Sequence, residues 1–152
     1  MALVLTTVAA CGVEVPAGLA DKVKSGCPDL VKPEPVAVIA QGLEVSEVVS
    51  ERAESCTVSV RDGRVVLDIG LIGYPSQDIA DQQAAVECHS REWDASDKSC
   101  SVTSPGGGRF IVRGVAGRWV ARVAVYEVTI NDDVKDAAYQ ILEDLRSSGK
   151  TK

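Results

Sequence analysis

The side chain best suited to acid–base chemistry is His89, the single histidine of the chain. An imidazole acts as general base when a serine nucleophile lies on one side of it and an orienting carboxylate on the other. Its neighbours Glu87 and Ser90 do not provide this, because helix residues one or two apart point away from each other. No Gly-x-Ser-x-Gly elbow is present. His89 therefore reads as a surface histidine on a helix. Gly106-Gly107-Gly108-Arg109 has the backbone freedom to cradle a phosphate through N–H groups. It joins two strand-like runs with no helix N-terminus behind it, and it lacks the Gly-Lys-Ser/Thr ending of a nucleotide loop. A hairpin turn is the better reading. Asp94, Asp97, Asp132 and Asp133 form no calcium-loop array, and the last two look first like a helix cap. Nothing selects a carboxylate pair of the glycosidase kind. The sequence thus assigns no catalytic residue, no metal site and no cofactor, and a non-enzymatic protein is expected.

Arginines and cysteines are more informative. Arg109, Arg113, Arg118 and Arg122 fall on two strand-like runs near the C-terminal half. At strand spacing Arg118 and Arg122 share a face, joined by Val120 and Ala124. With Trp119 beside them, Arg118 and Arg122 form a candidate basic, partly aromatic patch for an acidic envelope polymer or a protein partner. Five cysteines occur: Cys11, Cys27, Cys56, Cys88 and Cys100. There is no Cys-x-x-Cys pair, and one histidine cannot complete a zinc finger, so neither a redox motif nor a metal site is expected. Setting Cys11 aside leaves four, which allow three disulfide connectivities. Ser55-Cys56-Thr57-Val58 and Ser99-Cys100-Ser101-Val102 echo each other, each followed by a turn and a strand opening with Gly-Arg. If the echo marks two related halves, the pairing is Cys27–Cys56 and Cys88–Cys100.

Cys11 is set aside because of what precedes it. Met1 to Ala10 is a short uncharged apolar run, too short to span a bilayer and suited to the apolar segment of an export signal. It ends Val8-Ala9-Ala10-Cys11-Gly12, which resembles a bacterial lipobox. In such a segment the cysteine receives a diacylglycerol and becomes the new N-terminus after cleavage. No Lys or Arg precedes Lys22, so the charged start usual in these signals is missing. Residues 1–11 are read as the signal segment and lipobox, residues 12–147 as one domain, and residues 148–152 as a disordered tail. The formal net charge of −6 argues against nucleic acid as a partner. It also argues against adsorption to anionic lipid by charge alone. Contact with a membrane would run through the lipid on Cys11.

The elements that must position these residues follow from periodicity. Pro33-Glu34-Pro35 opens a helix with Val36, Ile39, Ala40 and Leu43 on one face and Gly42 as its stop. Cys56 to Arg61 alternates with period two, Asp62-Gly63 is a hairpin turn, and Arg64 to Ile72 returns as a strand. Ser76 caps a helix running to about Trp93, with a weak stripe of Ile79, Val86 and Trp93 together with Ala80, Ala84 and Ala85. Cys100 to Thr103, Arg109 to Arg113 and Arg118 to Ile130 read as strands. Asn131-Asp132-Asp133 caps a final helix. Its Val134, Ala137, Ala138, Ile141, Leu142 and Leu145 keep one-face spacing throughout.

The stretch from Cys27-Pro28-Asp29-Leu30 through Pro33 and Pro35, then a helix, then Ser55-Cys56-Thr57 heading a strand, resembles a family of small secreted actinobacterial lipoproteins of unknown function. Its members share a lipobox, a cysteine followed by Leu and Pro before a helix, and a second cysteine heading a strand. Thr57 stands where that family often has an aromatic. The resemblance implies an exported α+β domain and carries over no catalytic residue. The expected fold is α+β, an antiparallel sheet of about five strands with helices on one side. The expected role is a lipid-anchored binding or accessory module on the outer face of the cell membrane. An extracytoplasmic sensor or protein-interaction domain is the alternative, and a secreted hydrolase built on His89 or a carboxylate pair comes third.

Overall fold

The computed structural model describes residues 30–49, 54–88 and 93–148. Cys11, Cys27, His89 and the last residues of the expected tail lie outside them, as does the expected Cys27–Cys56 pairing. Helix α1 spans Pro33–Ala40, with proline in its first turn, where no N–H is needed. It stops at Gln41, which takes a left-handed conformation at φ 52°. The glutamine is held there because its side-chain amide brackets the backbone of Thr129, donating at 2.7 Å and accepting at 3.1 Å. Strand β1 (Val45–Val49) follows, then β2 (Ser55–Val60) and β3 (Val65–Gly73) around the Asp62-Gly63 turn. Gly63 sits at φ +84°, which a hairpin of this kind requires.

Helix α2 spans Gln77–Glu87, capped by Ser76, whose hydroxyl accepts from the Ile79 N–H at 3.3 Å. Strands β4 (Ser99–Thr103), β5 (Arg109–Ala116) and β6 (Trp119–Tyr126) lead to α3 (Asp132–Ser148). Asn131 Oδ1 caps α3 by accepting from the Val134 N–H at 2.9 Å.

The six strands of the described residues form one antiparallel sheet in the order β1-β2-β3-β6-β5-β4. Each half is a helix followed by a three-strand meander, and β3 and β6 join the halves at the centre. The expected α+β class and antiparallel sheet are both present. The sixth strand is β1, an edge strand with every residue exposed, so it carries no alternation to read. The cysteine echo does not follow the repeat: Cys56 lies on the second strand of its meander and Cys100 on the first strand of the other.

The main core lies on one face of the sheet. Val58, Leu67, Ile69, Val112 and Val123 meet Ile39 of α1 and Ile141, Leu142 and Leu145 of α3, all almost fully buried. Every residue of the predicted α3 stripe is buried. Helix α2 departs from the one-sided expectation and packs on the opposite face. Its Ala80 and Ala84 meet Val115 and Val120, with Tyr74 and Trp93 alongside. The predicted stripe residues Ile79 and Val86 face outward, because α2 buries its alanines and so approaches the sheet through small side chains. A Cys88–Cys100 disulfide joins the end of α2 to edge strand β4, as expected, and Cys56 is also disulfide-bonded.

Candidate functional site

Alternation along the strands sends Arg109, Ile111 and Arg113 of β5 to the α2 face, and likewise Val120, Arg122, Ala124 and Tyr126 of β6. Helix α2 covers the Val115 and Val120 end of that face. Over the rest lies a layer of long polar side chains. The two-residue Gly117-Arg118 turn sets the β5–β6 register and places Arg113 directly opposite Arg122, and Arg109 opposite Tyr126. Ile111 and Ala124 are nonetheless buried on this face. The methylene stems of such arginines can cover apolar floor while their charged ends stay wet.

The charged ends form a network. Arg122 donates to Asp68 Oδ2 at 3.0 Å and to the Tyr126 hydroxyl at 2.8 Å. Thr57 donates to the other oxygen of Asp68 at 3.4 Å. The buried Nε of Arg113 is ion-paired with Glu87 Oε2 of α2 at 3.5 Å and makes no hydrogen bond. Burial pulls the Arg113 guanidinium below its ordinary value. Glu87 counters this, while neighbouring Arg122 and Arg109 add to it. Burial, with the charge of Glu87 behind it, raises the Tyr74 phenol. The polar strip thus runs from Tyr74 and Glu87 across Arg113 and Arg122 to Asp68 and Thr57.

The residues expected to form the patch are divided by the structure. Arg122 is at the centre of the strip. Arg118 is committed elsewhere: its Nη1 donates to the Tyr74 carbonyl at 3.2 Å, and Tyr74 N–H donates back to the Arg118 carbonyl. Trp119 points to the other face, where it joins the main core and lies against Gly73. The partners of Arg122 are therefore Arg113 and Tyr126 rather than Trp119. Asp68, Glu87 and Tyr126 were not anticipated. The expected strands ended at Arg113 and restarted at Arg118 around residues 114–117; the structure instead carries β5 to Ala116 and turns at Gly117-Arg118, and that register brings Arg113 opposite Arg122.

Concavities elsewhere among the described residues include an apolar groove and a polar cleft. The apolar groove, of about 390 Å³, lies between α1 and β1, lined by Val36, Ala37, Val45, Val48 and Val58 among others. The polar cleft, of about 720 Å³, is bordered by Arg64, Gly106, Gly107, Gly108, Glu127 and Thr129. The triglycine turn has Gly106 and Gly107 at positive φ and serves as the β4–β5 turn. Among the described residues no group of three or more His, Cys, Asp or Glu is placed to hold a metal ion. No described helix is long and apolar enough to cross a membrane.

No known protein family matches this chain, and no curated protein does. Among solved structures, the extracellular domain of PknH from Mycobacterium tuberculosis aligns over 73% of this chain and 70% of that one. The two are 12% identical, with a TM-score of 0.34. At that level the likeness carries neither a fold assignment nor a function.

Proposed function

We propose that this chain is an exported, lipid-anchored domain that works as a non-enzymatic binding or accessory module at the cell envelope, tethered through Cys11. The observation that carries the reading is the Cys88–Cys100 disulfide, with its Cα atoms 5.8 Å apart and both residues buried. Disulfides persist in oxidising compartments and are rare in the cytosol of ordinary cells. The bonded state of Cys56 points the same way. A binding role is supported by the polar strip, which holds more arginine donors than the fold employs, and by the apolar groove beside β1.

The test is the intact mass of the full-length protein from an exporting host, with and without reductant and thiol alkylation. The expected mass corresponds to cleavage before Cys11, addition of lipid, and four thiols that alkylate only after reduction. An unprocessed chain with five free thiols would refute export and anchoring together.

A second reading, a protein-interaction domain, has one observation of its own. Val45, Val48 and Val49 are exposed along edge strand β1, a surface type that pairs with other chains unless it is covered.

A further inference from the structure

Three arginines share the open face, and only one is fully engaged. Arg122 is held by Asp68 and Tyr126. Arg113 is ion-paired with Glu87 through its buried Nε at 3.5 Å, and its two outer nitrogens make no hydrogen bond among the described residues. Arg109 is exposed, and its side chain has no hydrogen-bond or ion-pair partner among the described residues. Like charges directly opposite on paired strands are destabilising, yet Arg113 and Arg122 are such a pair. On the strip, Arg109, Arg113 and Arg122 face Asp68 and Glu87, which leaves one positive charge over on a chain whose net charge is −6.

The spacing says what kind of anion fits. Arg109 and Arg113 are four residues apart on one strand, about 13 Å between main-chain positions. A lone oxyanion does not span that distance, whereas a linear ligand with anionic groups at intervals does. The track is not walled on the β3 side. Gly70 lies opposite Arg122, and a Cβ there would meet nothing within 4 Å. Guanidinium forks also grip oxyanions bidentately, which a lysine ammonium does not. A protein partner fits less well, since Ile111 and Ala124 are buried beneath the layer and offer no apolar anchor of the sort interfaces depend on.

We propose that the Arg109–Arg113–Arg122 row is a binding track for a linear polyanion, a polymer whose repeat carries a phosphate or carboxylate oxyanion. This deepens the reading of the domain as a binding module but does not depend on lipidation. The acidic remainder of the surface discourages polyanions elsewhere, and screening over about 8 Å at physiological salt keeps that repulsion from reaching the track.

The test uses the oxidised full chain, wild type and Arg109→Ala, titrated with inorganic polyphosphate and with poly-glutamate. Arg109 is the informative position because no described contact of the fold uses its side chain. Wild type is expected to bind at about 50 mM salt and to weaken steeply toward about 200 mM. Arg109→Ala should bind about tenfold more weakly with a shallower salt slope, at an unchanged melting temperature. Binding of polyphosphate alone identifies phosphate as the ligand group, and binding of both identifies a general oxyanion track. Equal affinity of the two proteins would overturn the proposal, as would failure of both polymers at low salt. Protection of β5 and β6 from hydrogen exchange by a protein ligand, but by neither polymer, would also overturn it. A chain that is lipidated and oxidised yet binds no polymer loses only this inference; the mass measurement judges export and anchoring separately.

Discussion

Gly114 lies on β5 beneath α3, and a Cβ built there would sit 2.9 Å from Leu142 Cδ2 and 3.1 Å from Cδ1. Leu142 is fully buried among the largest core side chains, so it has no free space to turn into. Gly114→Ala must therefore lift α3 or force Leu142 off its rotamer, at about 1–3 kcal/mol. For a chain of this length that lowers the melting temperature by roughly 2–4 °C per kcal/mol. Gly70→Ala is the internal control, because it adds the same methyl to the opposite face with nothing within 4 Å. It should be neutral or stabilising by up to about 1 kcal/mol, since it removes freedom from the unfolded chain. Leu142→Ala alone should cost about 2–5 kcal/mol. In the double variant the alanine methyl partly fills the space left by the leucine, so the two costs should sum to less than their separate values. Urea unfolding of wild type and the four variants with disulfides intact measures all of this. If Gly114→Ala is as stable as wild type, or Gly70→Ala is equally harmful, the close packing of α3 on β5 is wrong.

Asn131→Ala removes the side-chain cap of α3 and should cost about 1 kcal/mol, read from the same unfolding curves. Replacing Cys88 and Cys100 by serine opens a loop closed across a separation of 12 residues, and should cost about 3 kcal/mol by loop entropy; a loss under about 1 kcal/mol would mean that the unfolded chain is already constrained there. Asp94 is held below the ordinary carboxylate value of 3.8 by the Ser96 hydroxyl and the N–H groups of Asp97 and Ser96, and Asp62 by the N–H and side chain of Arg64. The folded state then binds fewer protons than the unfolded one, so this stability is complete above 3.8 and is lost as pH falls through the folded values. Asp94→Asn should accordingly flatten the acid limb of stability against pH, and an unaltered limb would remove Asp94 from the account. Arg113→Met keeps an unbranched apolar stem while removing the charge opposite Arg122, and should change stability by less than about 1 kcal/mol; a larger loss would make the Arg113–Glu87 pair a structural element.

Much of the fold follows from local pattern, and the departures have physical causes. The α3 stripe is legible because Val134 to Leu145 repeats at helix spacing against a single core. The Asp62-Gly63 turn is legible because few dipeptides accept its backbone geometry. Strand β1 is not, since Val45–Val49 lies at the sheet edge with every residue exposed, and no burial pattern marks it. The face chosen by α2 is equally hidden, because its stripe mixes Ile79 and Val86 with alanines, and only Val115 and Val120 beneath show that Ala80 and Ala84 are the buried part. For the site, strand parity puts Arg118 and Arg122 on one side, but parity alone also predicts that Trp119 turns away from both. The pairing of Arg113 with Arg122 needs the hairpin register, and Asp68 and Glu87 arrive from β3 and α2 by tertiary contact.

The two faces of the sheet place different demands on the sequence. The α1 and α3 face obeys every local rule: valines, leucines and isoleucines alternate inward and meet helices of matching stripe. The α2 face obeys them only at its disulfide-tied end. Beyond it, buried Ile111 and Ala124 would suit a second apolar helix, yet the sequence surrounds them with guanidinium and phenol groups. It sets two arginines opposite each other and holds one of them only by a 3.5 Å ion pair to Glu87. Folding alone gives no reason for that choice, because leucine or methionine at position 113 would cover the same floor without the repulsion. A sequence that satisfies local rules on one face and breaks them on the other is doing something besides folding on the second. The proposed oxyanion track gives one reason for it, and Arg109, whose side chain no described contact uses, is where that reason is tested.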